Sequence, residues 1–275
     1  MRVAINHETI YRYPEPSSHS IQYLRLTPIS GVSQRVLSWK VSAPGSLRPW
    51  TDGFGNAAHV LVMDEAHSEI RIRAVGEVEI ADGGRPLLGD GELHSPELYL
   101  RPSRLTQPDD RLRSFALGFR PGFGSSPRKG LDMLARGIQD SIAYRSGVAA
   151  QAVSARQTLD AGTGHSQDQA QLFITCCRSL GVPARYVSGY LCSDDAKAGS
   201  MASHAWAEAW VDGLGWQRYD VANPMSNAQA HVRVAIGLDQ LDANPVRGLH
   251  HGGNSEQLSV EVTIGDARLI KQQQQ

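Results

Sequence analysis

The sequence predicts an α+β protein in which an N-terminal β-sandwich precedes a domain of helices packed on an antiparallel sheet. Three observations support this class. Residues 1–104 alternate apolar and polar side chains over short segments separated by glycine-containing turns, which is typical of strands. From residue 109 onward the apolar side chains recur every three or four residues, as in helices. Residues 203–220 then have the alternation and the Asp-Gly turn of a β-hairpin.

The composition is that of an ordinary globular protein. The chain has 275 residues, of which 41% are hydrophobic and 20% are charged, and its formal net charge is -1. This balance gives no basic surface for nucleic acid, so we expect no nucleic-acid partner. No apolar run approaches the roughly 20 residues of a membrane span. The first residues lack the apolar core of a signal peptide, so we expect a cytoplasmic protein without membrane attachment.

The N-terminal strands are predicted from a strict two-residue period. The segments with this period are 21–26, 35–41, 59–63 and 69–75. The pattern changes character near Pro102, and this change divides the chain into an N-terminal β domain, 1–104, and a second domain, 105–268. The glutamine-rich end, 269–275, is predicted to be disordered because it is of low complexity.

Three helices are predicted in the second domain, over 109–119, 130–144 and 167–180. In the second of them, four apolar residues form one stripe that we assign to the core: Leu131, Leu134, Ile138 and Ile142. The third is apolar on nearly every side and is predicted to be buried, with a stop at Gly181 and Pro183. A strand over 184–191 follows it.

The cysteines do not indicate a disulfide framework or a metal site. The chain has three of them, Cys176, Cys177 and Cys192, and none lies beside a histidine. We predict reduced, buried thiols that pack as small hydrophobic groups. A site at His250-His251 or His204 lacks a recognisable ligand spacing, so no metal and no cofactor is predicted.

Three residues lie where predicted elements begin or end. Ser166 precedes the third helix, at an end that offers free N–H groups and a positive dipole. His204 opens the hairpin and Asp220 closes it, an even number of residues apart, so both side chains are expected on one face. A carboxylate beside an imidazole orients it for proton transfer. Ser166 with Gln169 also matches a helix-capping box. Equally, His204 fits a structural histidine and Asp220 a turn residue, so spacing alone leaves both interpretations open.

Longer motifs around these residues resemble the bacterial transglutaminase-like superfamily. The pattern of that family, G-x-C-Q-D followed by S-H-A-W and by a strand ending in Asp, is similar to residues 164–168 (GHSQD), 203–206 (SHAW) and 216–220 (WQRYD). Residues 24–28 (LRLTP) and 52–56 (DGFGN) resemble its N-terminal β domain, and 245–248 with Gly252-Gly253 its C-terminal hairpin. The resemblance therefore covers most of the chain.

The resemblance implies a papain-like core with a Cys-His-Asp triad, which maps onto Ser166, His204 and Asp220. It implies an enzyme that hydrolyses or transfers acyl groups of amide or peptide bonds, acting on a peptide or protein. Trp206 and Gln167 are expected at the substrate site, although tryptophans of the hairpin also fit a core role.

The serine at position 166 predicts an inactive or strongly impaired enzyme. A serine hydroxyl forms no thiolate–imidazolium pair, and losing a triad member costs roughly 10³ to 10⁴ in rate. Three explanations stay open: an engineered replacement of cysteine, a natural non-catalytic homologue that binds a peptide or protein, or a working serine hydrolase with His204 as its base.

Overall fold

The computed structural model describes residues 1–81, 93–124, 126–147, 151–192, 203–223, 230–252 and 256–266. The predicted disordered tail, 269–275, and Gly253 of the predicted C-terminal hairpin lie outside these residues. The strands are Arg2–Ser17 (β1), His19–Leu24 (β2), Gln34–Ser42 (β3), Ser46–Thr51 (β4), Ala57–Met63 (β5), His67–Ile80 (β6), Ala143–Tyr144 (β7), Thr163–Gly164 (β8), Ala184–Cys192 (β9), His204–Val211 (β10), Gly215–Tyr219 (β11), Ala230–Gly237 (β12), Val246–His251 (β13) and Gln257–Asp266 (β14). The helices are Asp110–Leu117 (α1), Arg120–Phe123 (α2), Pro127–Ser141 (α3), Ala155–Ala161 (α4), Ser166–Ser179 (α5) and Gln240–Ala243 (α6), with a 3₁₀ turn at Pro96–Leu100.

The N-terminal strands form two antiparallel four-stranded sheets, and the end of the chain completes both. One sheet has the order β14-β1-β6-β3 and the other β13-β2-β5-β4. Apolar residues from both sheets, including Tyr11, Leu24, Leu61 and Ile70, share one buried cluster. The sandwich and the division at residue 104 stay predictions. The strand pairing crosses that division, because β13 and β14 lie in the interval assigned to the second domain.

The central part of the chain is a mixed unit with an antiparallel sheet of order β11-β10-β9-β12. Helix α5 packs against this sheet with nearly every side chain buried, as its apolar sequence predicts. The apolar stripe from Leu131 to Ile142, predicted for the second helix of the sequence analysis, lies on α3 and its C-cap residue. It is also buried and belongs to the same core. Helix α4 was not predicted, since its seven residues are too short for a clear apolar period. None of the helices in the described ranges is long and apolar enough to cross a membrane.

Side-chain amides from the N-terminal sheets bind the outer edge of strand β12. Asn56 donates to the carbonyl of Ile236 and accepts from its N–H, both at 2.8 Å. Gln34 does the same at Arg233, again with two contacts of 2.8 Å. An edge strand carries unpaired backbone groups, and here two amide side chains satisfy them as a neighbouring strand would. The N-terminal sheets are thereby fixed to the central sheet in one register.

Replacing Asn56 with Ala should destabilise the fold by about 1–3 kcal/mol, because the buried N–H and carbonyl of Ile236 both lose their partner. The free energy of unfolding in urea measures this. The matched control is Asn6→Ala on β1, where the amide accepts one exposed hydrogen bond from Arg73. That change should stay within about 0.5 kcal/mol of the parent. Equal losses in the two variants would contradict a special role for the edge contacts.

Candidate active site

Helix α5 begins one residue earlier than predicted, and this changes the interpretation of Ser166. The N-cap residue is His165, whose backbone N–H donates to Asp168 Oδ2 at 2.9 Å. The capping box between Ser166 and Gln169 is therefore wrong, because Asp168 occupies the third helical position and takes that role. Ser166 is the first helical residue, is 6% exposed, and its hydroxyl contacts Gln167 Oε1 at 3.4 Å. Its hydroxyl is thus not used to cap the helix.

The hairpin register brings His204 and Asp220 together as the even spacing predicts. Strand β10 pairs with β11 so that Ala207 faces Tyr219, which leaves His204 and Asp220 on one face and two positions apart along it. His204 Nε2 lies 2.7 Å from Asp220 Oδ2. Asn223 adds a longer contact of 3.5 Å to the same imidazole nitrogen. Among the hydrogen bonds of the described residues, none involves the other ring nitrogen of His204, Nδ1.

A second histidine, which the sequence did not indicate, shares the same carboxylate. His231 on β12 places its Nε2 2.9 Å from Asp220 Oδ2. Its other nitrogen, Nδ1, lies 2.6 Å from Arg218 NH1. Because a guanidinium can only donate, Nδ1 accepts and Nε2 carries the proton given to Asp220. Arg218 thus fixes the neutral tautomer of His231 that supports the carboxylate.

The ionisation of this cluster follows from burial and from these hydrogen bonds. Burial by itself would raise the pKa of Asp220, but the hydrogen bonds from His204 and His231 outweigh it and lower the pKa to about 2. Burial lowers the pKa of His231, and the nearby Arg218 charge adds to that effect while Asp220 opposes it. Near neutral pH the cluster therefore holds an ionised Asp220 beside a neutral His231.

The same three side chains have the spacing of a cation site. One ligand atom each from His204, Asp220 and His231 lies within 4.8 Å of the others. However, both imidazoles already lie at hydrogen-bond distance from Asp220, and the Arg218 guanidinium sets a positive charge against His231. Hydrogen bonding accounts for the arrangement without an ion.

The two residues expected at the substrate site, Gln167 and Trp206, have different surroundings: one lines a cavity and the other is buried in the core. Gln167 and His204 line one cavity of about 310 Å³. Trp206 is 2% exposed and packs against both histidine rings, with centroid distances of 6.2 Å to His204 and 4.9 Å to His231. A side chain at Gly189 would meet the Trp206 ring at 2.8 Å, so this glycine gives the indole its room. A contact of Trp206 or Gln167 with substrate stays a prediction.

Helix α5, which carries Ser166, packs on strand β10, which carries His204. Among the hydrogen bonds of the described residues, none links Ser166 to His204. The triad assignment therefore stays a prediction for Ser166, while the imidazole–carboxylate half is present as geometry. The cysteines are no substitute, because Cys176, Cys177 and Cys192 are all buried as free thiols. Burial raises the pKa of the Cys192 thiol to about 12 and raises those of the other two as well.

Two family models match the chain over the parts that carry this geometry. The model of the Transglutaminase-like superfamily matches residues 122–221, which include α5 and the whole hairpin. The model of the Bacterial transglutaminase-like N-terminal region matches residues 3–79, which span strands β1 to β6 of the two N-terminal sheets. The chain belongs to the transglutaminase-like superfamily. The resemblance found in the motifs is confirmed by both matches.

Relatives of similar length support this assignment. An uncharacterized protein of Mycobacterium leprae is 30% identical over 275 residues, which cover 96% of this chain and 98% of the relative. One from Mycobacterium tuberculosis is 28% identical over 290 residues, with 96% and 91% covered. A crystal structure of a candidate cysteine protease from Cytophaga hutchinsonii has a TM-score of 0.76 at 22% identity, covering 97% of this chain and 91% of that one. Its similarity shows that this transglutaminase-like chain shares the fold.

His231 and Arg218 are the site residues that sequence reasoning missed. His231 lies beyond the 122–221 match, on a strand whose neighbour in the sheet is β9 rather than the hairpin. A signal for it was present, because His231 is a polar residue at the start of an apolar strand. Arg218 stands on the polar face of the hairpin and by itself suggests only an exposed cation.

The free energy of unfolding should fall as the pH drops below about 6.5. Below this pH a histidine of the unfolded chain gains a proton, whereas the same histidine, buried in the folded protein, stays neutral. For each such histidine the slope approaches about 1.4 kcal/mol per pH unit. His231→Phe should show a weaker dependence, since burial lowers the pKa of His231. His7→Phe should do the same down to about pH 4, because burial lowers the pKa of His7 to about 4. Urea unfolding between pH 7.5 and 4 is the measurement, and an unchanged slope in both variants would contradict the assignment.

Proposed function

We propose that the cleft beside His204 binds an amide or peptide carbonyl and is built for acyl transfer by a Cys-His-Asp triad. The observation that carries the proposal is the 2.7 Å contact between His204 and Asp220, on a sheet against which α5 packs. Ser166 is the first residue of that helix, and we assign it the nucleophile position. We further propose that this serine leaves the site inactive or strongly impaired.

The proposed chemistry follows from the orientation of His204. With Nε2 directed at Asp220, Nδ1 takes the proton of the nucleophile, and the carboxylate stabilises the imidazolium that forms. The nucleophile attacks the carbonyl carbon, and the backbone N–H at the helix N-terminus donates to the developing oxyanion. The amine then leaves with the proton from His204. Water completes a hydrolysis, and an amine acceptor completes a transfer.

The serine decides how much of this chemistry takes place. A cysteine in this position would form a thiolate, favoured by the helix N-terminus and by an imidazolium. The hydroxyl of Ser166 is far less acidic and reaches less far, so the rate should fall by roughly 10³ or more. The protease name given to the similar Cytophaga hutchinsonii structure supports the reaction class, with a peptide or protein as the substrate.

The second candidate function is a non-catalytic homologue that binds a peptide or protein in the same cleft. It is favoured by one observation, namely that His204 lines a cavity while the position that we assign to the nucleophile holds a serine. In either case the three free, buried thiols suit a reducing compartment, and we propose a cytoplasmic location on that ground.

The proposal is tested with Ser166→Cys, whose alkylation by iodoacetamide is followed against pH. The introduced thiol should have a pKa well below the free value of roughly 8.5, because the helix N-terminus and His204 stabilise its thiolate. The parent protein is the blank. Its own cysteines should react slowly, since burial raises the pKa of each of them.

The control is the double variant Ser166→Cys with His204→Ala, in which the thiol pKa should rise toward its ordinary value. Circular dichroism of both variants establishes that the fold is kept. A near-ordinary pKa in both would mean that the cleft does not activate a nucleophile. The acyl-transfer proposal would then be abandoned in favour of the binding protein.

A further inference from the structure

The cavity next to His204 has walls from three parts of the chain. Its volume of about 310 Å³ is in the range of small-ligand sites. The central unit supplies His204 and Gln167, strand β1 supplies a row that ends at Tyr11 and Tyr13, and the C-terminal hairpin supplies residues up to Val260. A ligand that fills this cavity would therefore contact the N-terminal sheets and the C-terminal hairpin as well as His204.

The charge of the cavity has one sign. Glu256 is the only aspartate, glutamate, lysine or arginine among its described lining residues. Its carboxylate acts on the two tyrosines opposite: burial raises the pKa of Tyr13, and the charge of Glu256 raises it further. The nearest cationic candidate, His250 Nδ1, is 3.8 Å from Glu256, which is longer than a hydrogen bond. A carboxylate or phosphate would meet no arginine or lysine on these walls.

We propose that this cavity is a specificity subsite for a positively charged side chain of the peptide bound at His204. Glu256, the charged residue of the described cavity wall, pairs with that charge. This subsite rests on the proposed function in one respect: the amide of the peptide, scissile or merely bound, lies at His204. The charged group is a recognition element of the substrate and takes no part in the acyl transfer.

The test is the affinity of the Ser166 protein for blocked tetrapeptide amides, measured by isothermal titration calorimetry. The peptides are acetyl-Ala-Gln-Xaa-Ala-amide and acetyl-Ala-Xaa-Gln-Ala-amide, with lysine, norleucine or glutamate as Xaa. In at least one order the lysine peptide should bind about threefold or more tighter than norleucine, as expected for one ion pair with a half-exposed carboxylate. The glutamate peptide should bind weakest of the three.

Glu256→Gln should remove the preference for lysine over norleucine while leaving the norleucine affinity unchanged. The matched control is Glu261→Gln, which removes another exposed carboxylate, on strand β14 just after Glu256 and outside the cavity wall. That variant should keep the preference. Equal binding of lysine and norleucine by the parent, or a preference that survives Glu256→Gln, would overturn the subsite.

The two proposals fail in different ways. If Ser166→Cys has an activated thiol but the parent shows no lysine preference, the acyl-transfer site stands and the subsite is wrong. If the thiol is not activated but the preference is present and depends on Glu256, the subsite stands as part of a binding protein. A protein that binds none of the peptides while its thiol is activated would also overturn the subsite.

Discussion

The Asp220 carboxylate holds the site together. It lies at the end of the hairpin. One of its two oxygens, Oδ2, is within hydrogen-bond distance of imidazoles on two other strands, those of His204 and His231. Bringing a charge into the protein interior is costly unless hydrogen bonds compensate it. Here both imidazoles donate to Oδ2 and the backbone N–H of Asn223 donates to Oδ1 at 3.2 Å, and the pKa of Asp220 is low despite burial. The contact fixes the ring plane of His204 and, through Trp206, the packing behind it.

The shared carboxylate also has a chemical consequence. A carboxylate stabilises a neighbouring imidazolium most strongly when that imidazolium is its one hydrogen-bond donor. A second N–H donor partly screens the negative charge and so weakens this stabilisation. His231 therefore moderates how strongly Asp220 stabilises a protonated His204. A cysteine enzyme depends on the imidazolium, while a serine nucleophile needs a neutral imidazole as its base.

The N-terminal sheets precede the central unit in the sequence and also form part of the cavity wall next to His204. Gln34 and Asn56 attach them to the edge of β12, the strand that carries His231. The C-terminal strands β13 and β14 complete both sheets, so the chain ends are tied into the same unit. As a result β1 and the C-terminal hairpin line the same cavity as His204. The shape of that cavity therefore depends on the fold of the N-terminal part.

The sequence by itself determined the features that depend on near neighbours along the chain. The apolar period predicted the buried stripe from Leu131 to Ile142, and the even spacing predicted that His204 and Asp220 share a face. Only the tertiary structure decided that His231 reaches the same carboxylate, that His165 rather than Ser166 caps α5, and that Glu256 shares a cavity with His204. A periodic pattern records which side of an element is buried. It does not record which distant strand lies beside it, because that choice depends on the packing of whole sheets.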